Sequence, residues 1–211
     1  MKSTDPRQSA GHAAILDAAI NLFSEQGFDA VSMREIARSA AVSKANIYHH
    51  FESKEALYFA ILEQSASDLA GLVENLAEGG GSFESRIEEF ATGHLDHLKK
   101  NSPASRLIIR EAFSGNNERS RLMVDQVFGG IFERIVAIFS EGQAAGELRS
   151  DLDPALCATL LMGADIFFFQ ARGMLMRLPM AEFATHSPRF STEMVEILLR
   201  GMTRRDPEVQ A

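Results

Sequence analysis

Ser32-Met33-Arg34-Glu35 is a capping box: the Ser and Glu side chains can each satisfy a free backbone amide at the start of a helix. That helix has room to run only to about Ser39. After Ala40-Ala41-Val42, Ser43 is placed to cap a second short helix through about His50, and Ser53 to cap a longer one with Glu55 in its first turn. Two short helices across a three-residue turn must pack on each other and on something else. Ile36, Ala37, Val42 and Ile47 are the small and branched apolar residues that a close crossing needs. The preceding segment supplies the support: Ile15, Ala18, Ala19, Leu22 and Phe23 recur at helical spacing on one face, and Gly27 stops that helix with Phe28 able to pack back on its last turn. The pattern is a helix-turn-helix.

Helical punctuation continues to the other end, and alternation of period two is nowhere sustained, so the fold class is all-α. Gly79-Gly80-Gly81-Ser82 marks a loop. Ser102-Pro103, Asp153-Pro154 and Ser187-Pro188 each put a capping side chain before a proline tolerated at the first helical position. Val124, Val127, Phe128, Ile131, Phe132, Ile135, Val136 and Phe139 predict four turns with one unbroken apolar stripe. Leu156 to Leu178 is apolar nearly all round and must be covered on more than one side, by its own bundle and by a second subunit, which a stripe of Phe190, Met194, Ile197 and Leu198 could join. Its most apolar part, Ala155–Phe169, is short for a bilayer of roughly 30 Å hydrocarbon and contains Asp165, and residues 1–11 lack the apolar core of a secretory signal. No membrane role is expected, and the lone Cys157 fits a reducing cytoplasm.

The stretch from Ile15 to Glu63 resembles the N-terminal DNA-binding domain of TetR-type bacterial transcriptional regulators. The matching elements are Ala18-Ala19 through Leu22-Phe23 to Gly27-Phe28, SMREIA at 32–37, VSKANIYHHF at 42–51 and SKEAL at 53–57. Ala41 stands where the family usually has a glycine. The resemblance implies a three-helix DNA-binding domain over 1–55, followed by an antiparallel helical bundle over 56–211 that dimerises and binds a ligand. It also implies DNA contacts from Ser32, Arg34, Ser43, Lys44, Ala45, Asn46, Tyr48 and His49, with Lys54 reaching a phosphate. The partners expected are a palindromic double-stranded operator, a second copy of the chain and a small hydrophobic or amphipathic effector that releases a repressor from DNA. His49 and His50 point about 100° apart on a helix, so they divide between a phosphate and packing.

In the remainder, Phe90, His94, Arg110, Phe113, Phe128, Phe132, Asp165 and Phe168 are candidates for an effector pocket, with Met162, Met174 and Met176 suited to an adaptable wall. Asp165 needs a partner if buried, either an arginine such as Arg110 or a ligand. His94 and His97 could share a helix face, but without cysteines or a second histidine pair they predict no metal site, and no cofactor is implied. An enzyme built on a helical bundle is the rival class. No nucleophile-and-base arrangement, phosphate loop or Glu-x-x-His motif supports it. A second rival is a DNA-binding protein without an effector.

Charge speaks to the same question. The 211 residues carry net −8, which taken whole disfavours nucleic acid. Counted along the chain, residues 1–60 hold six basic and seven acidic side chains, while the rest hold fifteen and twenty-two. Within 32–54 Arg34, Arg38, Lys44 and Lys54 outnumber Glu35 and Glu52. The acidity belongs to the bundle, and the helix-turn-helix is locally basic.

Overall fold

The computed structural model describes residues 6–113 and 118–202, with side chains from residue 11. Ten α-helices occur among them: α1 (Pro6–Gln26), α2 (Met33–Ser39), α3 (Lys44–His50), α4 (Lys54–Glu78), α5 (Phe83–Lys100), α6 (Ser102–Phe113), α7 (Glu118–Met123), α8 (Gly129–Ala144), α9 (Pro154–Leu175) and α10 (Ser187–Met202). A π-turn (Val124–Phe128) precedes α8 and a 3-10 turn (Glu182–Thr185) precedes α10. No strand occurs among the described residues.

Contacts divide the chain into two units. The first takes the residues up to Ser67 together with Asn101–Val127, and the second takes Asp68–Lys100 together with the residues from Phe128 onward. Helices α6 and α7 therefore belong with the helix-turn-helix.

In the first unit α1 packs on α2, α3 and α6. Ile15, Ala18, Ala19 and Phe23 are buried along one face of α1, and Ile36, Ala37 and Ile47 close the α2–α3 crossing. Phe23, Phe28 and Tyr58 form a ring cluster with centroids 5.1–5.9 Å apart, so Phe28 does pack back beyond Gly27, whose φ of +90° is the left-handed closure that glycine takes without strain.

In the second unit α5 packs on both α9 and α10, and α8 packs on α9. Phe83, Ile87, Phe90, Ile135, Ile138, Phe139, Cys157, Leu161, Val195 and Leu199 fill the core. The structure corrects one expectation here. The stripe from Val124 to Phe139 is broken, because the π-turn shifts the phase of the residues beyond it: Ile135, Ile138 and Phe139 are buried, whereas Val124 and Phe132 are exposed. Helix α9 is covered on one side by its own bundle. Cys157, Ala158, Leu161, Asp165 and Phe168 face the core, while Leu156, Leu160, Phe167 and Met174 form an exposed stripe. By length and composition α9 could cross a membrane, but its inner face is tied to the bundle at mid-length by the fully buried Asp165.

Candidate nucleic-acid interface

The capping box forms as its residues dictate. Glu35 Oε2 accepts from the Ser32 backbone N–H and from Ser32 Oγ, both at 2.8 Å, and Ser32 Oγ accepts from Glu35 N–H at 3.3 Å. Hydrogen bonds from the Ser32 backbone and then its hydroxyl hold the Glu35 carboxyl below its ordinary range, so the charge is spent on the cap. Ser43 Oγ accepts from Asn46 N–H at 3.1 Å and starts α3 in the same way.

Between the two helices lies a Schellman turn: Val42 N–H donates to the Ala37 carbonyl at 3.0 Å and Ala41 N–H to that of Arg38 at 3.3 Å. That turn needs a left-handed residue. Ala41 supplies it at φ +54° and is the one non-glycine residue with positive φ among those described.

This scaffold turns the polar set outward. Ser32 and Arg34 on the α2 side, and Ser43, Lys44, Ala45, Tyr48 and His49 on the α3 side, are all exposed, and Asn46 is half-buried. Tyr48 is 47% exposed, with the Lys44 ammonium 5.5 Å from its ring centroid. An exposed aromatic with a cation beside it can lie along a phosphate backbone, and short side chains at the N-terminal end of α3 can reach base edges. His50 turns inward, its ring 5.6 Å from His12 and 6.4 Å from Phe51. Burial, then the neighbouring His12 and His49, push its pKa down. It packs α3 against α1, while His49 remains exposed.

Lys54 sits differently from the rest. Its ammonium donates to the Phe28 carbonyl at 2.9 Å and the Val31 carbonyl at 3.0 Å and lies 4.2 Å from the Phe28 ring centroid. Two of its three N–H bonds are thus used within the protein, holding the loop ahead of α2.

The proposed effector residues are divided between the two units. Phe90, His94, Asp165 and Phe168 are buried in the second unit. His94 Nδ1 lies 2.9 Å from Asp165 Oδ2, and the His94 ring stacks on Phe90 with centroids 5.7 Å apart and planes 7° off parallel. Asp165 thus pairs with a histidine of α5 and not with Arg110. Burial raises its pKa, partly offset by His94. Phe128 packs against the core, and Met162 with it, but Phe132, Met174 and Met176 are exposed. Arg110 and Phe113 belong to the first unit. Phe113 is 79% exposed, and Arg110 donates to the carbonyls of Phe23 and Ser24 at the end of α1. His97 is half-buried, its pKa lowered by burial and then by His94, and no cluster of metal-binding side chains occurs among the described residues.

Sequence reasoning missed the ring of cations around the α1–α2 loop. Arg110 and Arg119 lie more than eighty residues from what they bind, and local patterning carries no signal across that distance.

The profile of the family described as bacterial regulatory proteins, tetR family, matches residues 15–61. UidR of Escherichia coli K12, an HTH-type transcriptional regulator, is 31% identical over 149 residues, which cover 70% of this chain and 74% of that protein. Among solved structures, the fatty acid degradation regulator FadR of Bacillus halodurans superposes with a TM-score of 0.74 at 19% identity, covering 97% of this chain and all of that one. The ketosteroid transcriptional regulator KstR2 of Mycobacterium tuberculosis does so with a TM-score of 0.68 at 18% identity, covering 96% of this chain and 98% of that one. Both share the fold. With the helix-turn-helix geometry, the family profile and the extent of the UidR match together, the chain belongs to the TetR family of DNA-binding transcriptional regulators.

Proposed function

We propose that the protein is a cytoplasmic, homodimeric repressor that binds a palindromic operator and is released from it by a small hydrophobic or amphipathic effector. Residues 1–55 carry the DNA contacts in this reading, and 56–211 carry dimerisation and effector binding. The observation that supports it most is the outward polar set, Ser32, Arg34, Ser43, Lys44, Ala45, Asn46, Tyr48 and His49, held on two short helices whose apolar sides are buried. The exposed stripe of α9, together with Ile197 of α10 at 72% exposure, suits a second copy of the chain. A dimer presents two recognition helices to half-sites separated by roughly 34 Å, or a multiple of it. An effector acts by favouring a spacing that fits DNA less well, and it weakens binding by its own difference in affinity for the two states.

For the effector, the buried His94–Asp165 pair beside Phe90 and Phe168 offers a polar point in an apolar setting, the usual make-up of a small-molecule site. The names of FadR and KstR2 refer to fatty acid degradation and ketosteroids, both apolar chemistry, in keeping with such a ligand.

The test is fluorescence anisotropy with the DNA upstream of the protein's own gene. Lys44→Ala and Tyr48→Ala should each weaken binding at least tenfold, about 1.4 kcal/mol, with unchanged circular dichroism. Retained affinity in both would refute the placement of α3. A thermal-shift panel of apolar and amphipathic compounds tests the effector, and a panel in which none binds points to a regulator without one.

A further inference from the structure

We propose that Asp29 and Arg119 form a clamp that sets the position of α2 for DNA recognition, so that Arg119, in α7, is a positioning residue for operator binding although it lies about seventy residues beyond the helix-turn-helix. This rests on the reading that α2 and α3 face DNA.

The loop from Gly27 to Val31 joins α1 to α2, and cations from three other helices hold it. Arg110 of α6 caps the end of α1 through the Phe23 and Ser24 carbonyls. Lys54 of α4 binds the Phe28 and Val31 carbonyls. Arg119 of α7 donates to both carboxylate oxygens of Asp29, at 3.1 and 2.9 Å, lies 4.5 Å from the Phe28 ring centroid, and has Glu111 of α6 within 3.5 Å of its Nε.

An isolated surface ion pair counts for little because two long side chains must be ordered to make it. Arg119 is ordered already: it stacks on a buried ring, is backed by the buried Glu111 and meets Asp29 in a two-pronged geometry that lysine could not reproduce. Phe28, the ring that Lys54 and Arg119 both touch, is itself seated against Phe23 and Tyr58.

Val31 is the last residue of that loop, and its carbonyl precedes the Ser32 cap directly. A loop that relaxes moves Ser32 first and Arg34 with it. Base and phosphate contacts tolerate misplacement of only about 0.5 Å, so a small shift there registers in affinity. The grouping of α6 and α7 with the helix-turn-helix has this purpose: they supply the arginines that fix where α2 begins.

The experiment measures operator affinity of the full chain by anisotropy for Asp29→Asn, Arg119→Gln, the double variant and Asp29→Glu, with thermal melts of each. Asp29→Asn removes a negative charge from the DNA-binding unit, so electrostatics alone makes binding tighter. The clamp predicts the reverse: about fivefold weaker for each single variant, and no further loss in the double variant, since both remove the same interaction. Asp29→Glu, which keeps the carboxylate, should recover most of the loss. Unchanged or tighter binding by Asp29→Asn overturns the clamp. So do additive losses, which would put Arg119 at a phosphate in its own right, and lowered melting temperatures with full affinity, which would make the pair structural only. Lys44→Ala is the control: if it too binds normally, the placement of the helix-turn-helix has failed rather than the clamp.

Discussion

Ala41 is strained in a way that substitution can measure. At φ +54° its Cβ crowds the following carbonyl, which costs an L-residue roughly 1–2 kcal/mol, and glycine escapes the cost. Glycine in turn frees the unfolded chain, which takes back about 0.4–1 kcal/mol. The side chain is exposed, so its methyl group gives up little buried contact when removed. Ala41→Gly should therefore stabilise the protein by about 0.5–1 kcal/mol, which for a chain of this size raises Tm by roughly 1–4 °C. Ala41→Val should do the opposite and cost about 1–2 kcal/mol, because a β-branched residue is a genuine outlier in this region. The two units need not unfold together, so a global melt should be paired with hydrogen exchange of the α2 and α3 amides, where the change is expected first. Because the two Schellman hydrogen bonds are kept, operator affinity of Ala41→Gly should stay within about twofold of the parent. A glycine variant that is no more stable, or a valine variant as stable as the parent, would refute a left-handed turn at this position.

Ser32→Ala removes the oxygen that accepts from Glu35 N–H and should cost about 1 kcal/mol of local stability, seen as faster amide exchange in α2; unchanged exchange would show that the cap contributes nothing. Asp165 has a raised native pKa, so the native state holds its proton more tightly than the unfolded chain does. Its contribution therefore favours the fold below the unfolded value near 3.9 and is progressively lost as pH rises through the native value. Asp165→Asn should flatten that part of the profile of urea midpoint against pH, and identical profiles would refute the burial account. Phe167→Glu, in the exposed stripe of α9 at 65% exposure, should yield a monomer by sedimentation at micromolar concentration with its helix content intact; a persisting dimer would place the interface elsewhere.

What could be read from residues alone was what is decided within four residues. The Ser32–Glu35 box, the Ser43, Ser53 and Asp153 caps and the glycine stop at Gly27 are backbone chemistry between near neighbours, and each occurs where the spacing puts it. The outward polar face of α3 was legible for the same reason, since exposure on a seven-residue helix follows from which of its residues are apolar. The π-turn was not legible, because a helix that widens for one turn shows no change in composition. Pairings across the fold were not either. Asp165 could be expected to need a partner, but choosing His94, seventy-one residues away, over Arg110 requires knowing that α9 lies against α5 and that Arg110 is engaged at the end of α1.

The same distinction changes how the charge of the DNA-binding segment should be counted. Between Ser32 and Lys54 the sequence shows four basic and two acidic side chains, but two of the six are not aimed outward. Glu35 is turned onto the Ser32 cap and Lys54 onto the loop carbonyls, one of each sign. Arg34, Arg38 and Lys44 then face solvent against Glu52, so the local excess survives on the surface where it acts. Asp29, the acidic residue just ahead of α2, is matched by Arg119. In the proposed mode of binding, what reaches DNA is a small basic face on a chain of net charge −8, and each phosphate it neutralises adds about 0.9 to the steepness of the salt dependence of binding. With so few cations the non-specific term is weak, and the bulk acidity weakens it further. Affinity must then come from short side chains held in register, which is why the position of α2, and whatever fixes it, should matter more to this protein than another surface lysine would.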